Sequence, residues 1–397
     1  MAASISRHAG RDGRPRVGIV GIGHTAFGRR GDASVQELAF EAFAAALNDA
    51  GIGRDDVDAS VIAAVPEYHK QRSPAGVVHE YLGLPPRPTW LVEAACASGS
   101  AAIRTAWLEI RAGAHDVVAV IGCQKMTELP TAELLGLMGR VGDVQWESCF
   151  GTTFPAYYAM FARRHMHEHG TTSEQLGAVA VKNHYYGARN PLAMFRKEVT
   201  PEQVAQSEPV ATPLKVFDCC ANADGAACVI LAREERARDI SDRPVWLAGM
   251  GGASDTMSVL RRTDLAGLPS AQRAAAEAYA MAGVGPRDIR VAEVHDCFTI
   301  AELLAYEDLR FCARGAGGRF VVEGESRVGG RTPVNVDGGL KAKGHPIGAT
   351  GVSMTCEIVK QLRGEAGERQ VPGADIGLTH NVGGIGQYCF VQVLARE

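Results

Sequence analysis

Nothing in the 397-residue chain approaches ~18 consecutive apolar residues, which argues against a membrane-spanning helix as its organising feature. Runs of five like charges are also missing and the formal net charge is only −4, so neither nucleic acid nor an anionic membrane is the expected partner. The N-terminus has charged and glycine residues where a secretory signal needs an apolar core. Ten cysteines are scattered without the density of a small secreted scaffold, and neither Cys-x-x-Cys nor His-Glu-x-x-His occurs. These absences lead us to expect a cytoplasmic protein with reduced thiols and no metal centre. The basic stretch 7–16 belongs, on this reading, to a disordered tail over residues 1–15.

What the chain does contain is a doubled pattern. Its length exceeds one small core and fits two domains or one large duplicated domain. A helix is expected over residues 34–50, from the capping box Ser34-Val35-Gln36-Glu37 and the spacing of Val35, Leu38, Ala39, Ala42, Ala46 and Leu47. Its end, Ala50-Gly51-Ile52-Gly53-Arg54-Asp55-Asp56-Val57, lines up with Ala282-Gly283-Val284-Gly285-Pro286-Arg287-Asp288-Ile289. Further on, strand, turn and helix around Cys96 are answered by strand, turn and helix around His345, and segment 116–122 by segment 375–380. Three matches in one order indicate two similar halves, 16–240 and 241–397. Each alternates helices with short runs such as 17–20, 117–121 and 291–294, the pattern of α/β units around a mostly buried sheet. Between about 127 and 213 this rhythm breaks in a segment rich in His, Tyr and Met, read as an inserted loop domain for substrate contacts and subunit packing.

Cys96 lies in the small-residue turn Val92-Glu93-Ala94-Ala95-Cys96-Ala97-Ser98-Gly99-Ser100, between an extended and a helical stretch. A thiol at a helix N-terminus feels the positive end of the dipole and unpaired N–H groups, which favour a nucleophilic thiolate suited to covalent acyl chemistry. Taken alone, Cys96 reads more readily as a small buried core residue. His295-Asp296-Cys297-Phe298 follows an apolar run, which puts His295 and Cys297 at a strand's end. Residues 335–351 are the most glycine-dense stretch around a single imidazole, His345, and suit close backbone approach to a bulky substrate. His380-Asn381-Val382-Gly383-Gly384 offers backbone amides for an oxyanion or binding loop. Leu134, Leu137, Met138, Met160 and Phe161 are candidate pocket residues. Three motifs are set aside: Gly21-x-Gly23 with Ala26 in third place reads as a packing turn, His165-Met166-His167-Glu168-His169 as a solvated helix face, and Asp224-Gly225 as a turn beyond Cys219-Cys220.

Taken together, Cys96-Ala97-Ser98-Gly99, His295-Asp296-Cys297-Phe298, Gly344-His345-Pro346-Ile347-Gly348-Ala349-Thr350-Gly351 and His380-Asn381-Val382-Gly383-Gly384 resemble the thiolase superfamily, in its sterol-carrier-protein-type and archaeal acetoacetyl-CoA branch. The resemblance runs from about residue 16 to 397. It implies a duplicated five-layer αβαβα thiolase fold and an acetyl-CoA C-acyltransferase that condenses or thiolytically cleaves 3-oxoacyl-CoA. Coenzyme A and acetyl-CoA would be substrates, with no tightly bound cofactor. By the same resemblance Cys96 would carry the acyl group and His345 would activate it. His380 would stand where most thiolases have a second cysteine, with Cys297 taking over its acid/base work. His295 and His345 would form one oxyanion site, and the backbone at Cys96 with the loop of His380, Asn381, Gly383 and Gly384 the other. The branch further implies a homodimer or homotetramer, a small zinc-ribbon/OB-fold partner and a hydroxymethylglutaryl-CoA synthase-like partner. Two rivals remain: a same-fold acyltransferase or retro-aldolase acting on a steroid or polyketide-type acyl substrate, and a non-catalytic scaffold subunit of a CoA-channelling complex.

Overall fold

The computed structural model describes residues 13–397. The expected tail falls outside the described residues up to residue 12. Arg16, at the basic stretch's end, is buried against Trp246, 3.8 Å from its ring centroid, and pairs with Glu234 at 3.4 Å and Glu397 at 3.2 Å. Among the described residues no helix is long and apolar enough to cross a membrane.

Nine strands form one sheet: β1 (Val17–His24), β2 (Ala59–Ala63), β3 (Thr89–Val92), β4 (Val117–Lys125), β7 (Asp224–Arg233), β8 (Val245–Ser254), β9 (Val291–Val294), β10 (Ile376–Gly383) and β11 (Tyr388–Ala395). A separate hairpin joins β5 (Pro209–Ala211) to β6 (Leu214–Lys215). The order of the large sheet is β3-β2-β4-β7-β1-β8-β11-β10-β9. Read outward from the central β1/β8 pair, β7 answers β11, β4 answers β10 and β2 answers β9. The sheet is therefore two copies of one motif. The aligned helix ends obey the same chemistry: Gly51 and Gly283 both cap in the left-handed region, at φ +69° and +68°. Asp56 then accepts from Gly53 N at 2.9 Å, and Asp288 from Gly285 N at 2.8 Å.

Four helices complete the layers of a thiolase fold. Val35–Ala50 covers the outer face of the first half and Pro269–Ala282 that of the second, while Ser98–Arg111 and Thr350–Arg363 pack against each other between the halves. The result is αβαβα. Gly21 and Gly23 sit inside β1, not in a turn, because a Cβ there would overlap the carbonyls of Ala46 and Ala42 on the covering helix. Gly249 and Gly251 of β8 lie in the same way under Ala278 and Ala274, so the glycine pair is itself part of the duplication. Replacing Gly23 with alanine should force the helix off the sheet and cost about 1–3 kcal/mol or more, measured by denaturant unfolding.

Three further expectations change. No strand precedes His345: Val334 makes only an isolated bridge to Ala292. Positive φ at Asn335, Gly338 and Gly339 then turns the chain into the short helix Gly339–Lys343. Asp224-Gly225 opens β7 instead of forming a turn, and the buried Asp224 carboxylate accepts from the N–H groups of Thr127 at 2.8 Å and Arg30 at 3.0 Å. His165 is buried within helix Phe154–His169, held by Thr171 Oγ1 at 2.7 Å and Glu307 at 3.1 Å, and does not face solvent.

Candidate active site

The thiol of Cys96 is placed by a turn that only a few contacts allow. Ala95 adopts φ +50°, and Ser98 Oγ accepts from Ala94 N at 2.9 Å while donating to Ala95 O at 2.6 Å. Helix Ser98–Arg111 starts immediately beyond, as its sequence indicated. The backbone N–H groups of Gly384 and of Cys96 itself point at the sulfur, a donor pair placed to receive negative charge. Burial nevertheless dominates and pushes the Cys96 thiol up to about 12. The resting group is a thiol, contrary to the thiolate that a helix N-terminus alone would favour.

Sγ of Cys96 and one ring nitrogen each of His295 and His345 lie within 4.8 Å of one another, and the two imidazoles meet edge to face at 5.2 Å between centroids. Their hydrogen bonds fix opposite tautomers. Thr350 Oγ1 donates to Pro346 O at 2.9 Å, so it accepts from His345 Nδ1–H at 2.7 Å and leaves His345 Nε2 with a free lone pair. Asn381 Nδ2 donates to His295 Nδ1 at 3.2 Å, so His295 carries its proton on Nε2. Both Nε2 atoms are buried and have no hydrogen-bond partner among the described residues. One base and one acid thus stand beside one thiol. Burial lowers His345 to about 3 and holds His295 well below the usual imidazole range, so both are neutral.

Asn381 also donates to Cys96 O at 3.0 Å. Both His380 and Asn381 belong to β10, where side chains alternate, and it is Asn381 that reaches Cys96 and His295. His380 is buried, lowered to about 3 by that burial, and has neither ring nitrogen bonded among the described residues. Gly383 closes β10, and Gly384 follows it at φ +62°. Cys297 lies outside the trio of Cys96, His295 and His345. Its thiol is hydrogen-bonded to Tyr158, whose hydroxyl donates to Gly384 O at 3.0 Å. Burial raises Cys297 far above the ordinary thiol range, although an imidazole stands two residues before it in the chain.

Behind the strand end, Asp296 turns away from the thiol. It accepts from Leu340 N and Asn183 Nδ2, both at 2.7 Å, and burial raises it to about 7. Glu302 accepts from Asn183 and Asn335 and pairs with Lys182 at 2.7 Å. This clamp and Thr350 escaped the sequence reading, although Thr350 lies within the quoted glycine-rich motif. Beside the site lies a cavity of about 1220 Å³, walled by Met138, Phe154, Phe217, Cys219, Cys220 and Phe298 among others, with Arg196 and Lys197 exposed at its rim. Of the five pocket residues expected from sequence only Met138 lines it.

A buried thiol with an imidazole base, an imidazole donor and two converging amides, on a duplicated α/β frame, defines a class of enzyme that forms covalent acyl intermediates. Comparison with known proteins narrows the class. Residues 17–217 match the thiolase N-terminal domain model and residues 251–396 the thiolase C-terminal domain-like model. The chain is 44% identical to an acetyl-CoA acetyltransferase of Methanothermobacter thermautotrophicus, over 96% of this chain and 99% of that one. It is 35% identical to sterol carrier protein 2 of Bos taurus, over 93% of this chain and 70% of that one. Among solved structures it superposes on the Ltp2-ChsH2(DUF35) aldolase with a TM-score of 0.83 at 28% identity, covering 96% of this chain and 98% of that chain. The chain belongs to the thiolase family and is a thiolase-type acyltransferase.

Proposed function

We propose that the chain transfers acetyl groups between CoA thioesters through an acyl-Cys96 intermediate, making or cleaving 3-oxoacyl-CoA. The observation that carries this reading is the convergence of Cys96, His295 and His345 within 4.8 Å. In the first half-reaction the Cys96 proton passes to His345 Nε2 as Sγ attacks the thioester carbonyl. The N–H groups of Cys96 and Gly384 stabilise the oxyanion, and CoA leaves with the proton. In the second, Cys297 first passes its thiol proton to His345 Nε2 and, as the thiolate, takes the α-proton of the incoming acetyl-CoA while His295 Nε2–H stabilises the enolate oxygen; the carbanion attacks the acyl-cysteine, and Cys96 leaves with the proton held on His345. Asn381 acts by holding His295 in its tautomer. His380 is near enough to His295 to help hold that imidazole neutral, and no proton transfer is assigned to it.

The large cavity suits the pantetheine arm and acyl group, with Arg196 and Lys197 at its rim for CoA phosphates. The helical stretch between β4 and β7 supplies most of its walls, which supports reading residues 127–213 as the substrate-binding insertion between halves 16–240 and 241–397. No tightly bound cofactor enters these steps. Assembly into a homodimer or homotetramer, and docking of a small zinc-ribbon/OB-fold protein or a hydroxymethylglutaryl-CoA synthase-like partner, are part of the same proposal. Exposed Val144, Trp146, Phe150 and Leu260 support such contacts, as does the likeness to a structure named for both Ltp2 and ChsH2(DUF35). Ten unpaired cysteines support a cytoplasmic location.

Initial rates with acetoacetyl-CoA and CoA should give parallel double-reciprocal lines. Labelled CoA should exchange into acetyl-CoA with no second acyl substrate present. Intersecting lines without exchange would remove the acyl-enzyme from the mechanism and favour the retro-aldolase reading.

A further inference from the structure

Lys341 stands in the wall of the large cavity and is only 2% exposed, yet its Nζ has no hydrogen-bond partner among the described residues. The other buried lysines nearby are all engaged. Lys343 pairs with Asp337 and Lys182 with Glu302, leaving Lys341 as the one without an acceptor. Its backbone N–H donates to Asp296 Oδ2 at 3.3 Å, which anchors the main chain and leaves the ammonium at the side-chain end. The ionisable groups sensing its charge are His184, Cys219, Cys220 and Asp296. The first three line the same cavity, and Asp296 is already occupied by Asn183 and two backbone amides. Burying an ammonium without an acceptor is costly, and the cost is recovered when a bound molecule brings an anionic oxygen.

We propose that Lys341 receives a carboxylate at the far end of the acyl group, so that the enzyme prefers 3-oxoacyl-CoA substrates carrying a second, terminal acid. This inference rests on the acyl-transfer reading above. The alternative source of an anion, a CoA phosphate, is better met by Arg196 and Lys197, which are exposed at the rim and form no ion pair among the described residues. Lys341 lies instead near Cys220, whose backbone N–H donates to Cys297 O at 2.9 Å, and so stands in the inner wall of the cavity and not at its rim. The remaining walls are mainly apolar, as a carbon chain between thioester and carboxylate requires.

The test compares 3-oxoadipyl-CoA with its neutral counterpart 3-oxohexanoyl-CoA, in thiolysis by the full chain and by K341M and K341R. The native chain should favour the acid by about tenfold or more in kcat/KM, expressed mainly in KM, the scale of one charge-assisted hydrogen bond. K341M should bring that ratio to about one, and K341R should retain part of it. Equal kcat/KM for both substrates in the native chain would overturn the proposal. So would a preference that survives K341M, or a K341M loss equal on both substrates, which would assign Lys341 to CoA or to structure. Labelling of Cys96 by acetyl-CoA, run on each variant, reports folding and separates this failure from failure of the acyl-enzyme reading.

Discussion

Replacing Cys96 with alanine is expected to lower thiolysis of acetoacetyl-CoA by about 10⁴-fold or more, because no other thiol lies in the trio with His295 and His345. The loss should fall on kcat, since the cavity proposed to take CoA is walled by other residues. Stability should change little: Cys96 is 5% exposed, and one sulfur atom leaves only a small void. Near-native unfolding midpoints together with lost turnover distinguish a missing nucleophile from a damaged fold. Turnover within about tenfold of native in the alanine variant would mean that the acyl group is carried elsewhere or not at all.

Changing His345 to alanine is expected to reduce kcat by about 10²–10⁴-fold, the usual worth of a positioned general base. The mechanism of that loss is visible in the pH dependence. With His345 near 3 and Cys96 near 12, the proton rests on sulfur and the imidazole stays neutral across the whole physiological range. Alkylation of Cys96 by iodoacetamide, which proceeds through the thiolate, should therefore be slow and climb about tenfold per pH unit from about pH 5 to 9 without levelling off, in the native chain and the variant alike. A rise with a midpoint near neutrality would reveal a resident thiolate–imidazolium pair. The buried imidazoles also bear on acid stability. A histidine whose folded pKa is lowered takes up a proton more readily when unfolded, so stability falls as pH drops below the unfolded value of about 6.5 and goes on falling towards the folded one. His24, His345 and His380, each near 3, contribute in this sense, and unfolding followed from pH 8 to 4 should show the decline.

How much of this could be read from the chain depends on how local the governing physics is. The capping box at Ser34, the glycine-ended helices and the helix start after Cys96 are set by neighbours in sequence, and all are in place. The duplication is legible for the same reason, and Gly21-x-Gly23 against Gly249-x-Gly251 is a further signal of it in the chain. The phase of β10 was not legible. Every residue of that strand is buried, so no polar alternation marks which side faces the thiol, and a shift of one position exchanges His380 for Asn381. Nor did sequence show that His165 is buried, since its carboxylate partner Glu307 lies 142 positions away. The protonation state of Cys96 is not legible in the sequence because the helix terminus is local whereas the burial that outweighs it comes from both halves.

The most direct test of the account is the intact mass of the chain after mixing with acetyl-CoA, for the native protein beside C96A and C297A. Acyl transfer through Cys96 predicts one acetyl group on the native chain and on C297A and none on C96A. An acetyl group retained by C96A, or no adduct on the native chain with either acetyl-CoA or a longer 3-oxoacyl-CoA plus CoA, would contradict it.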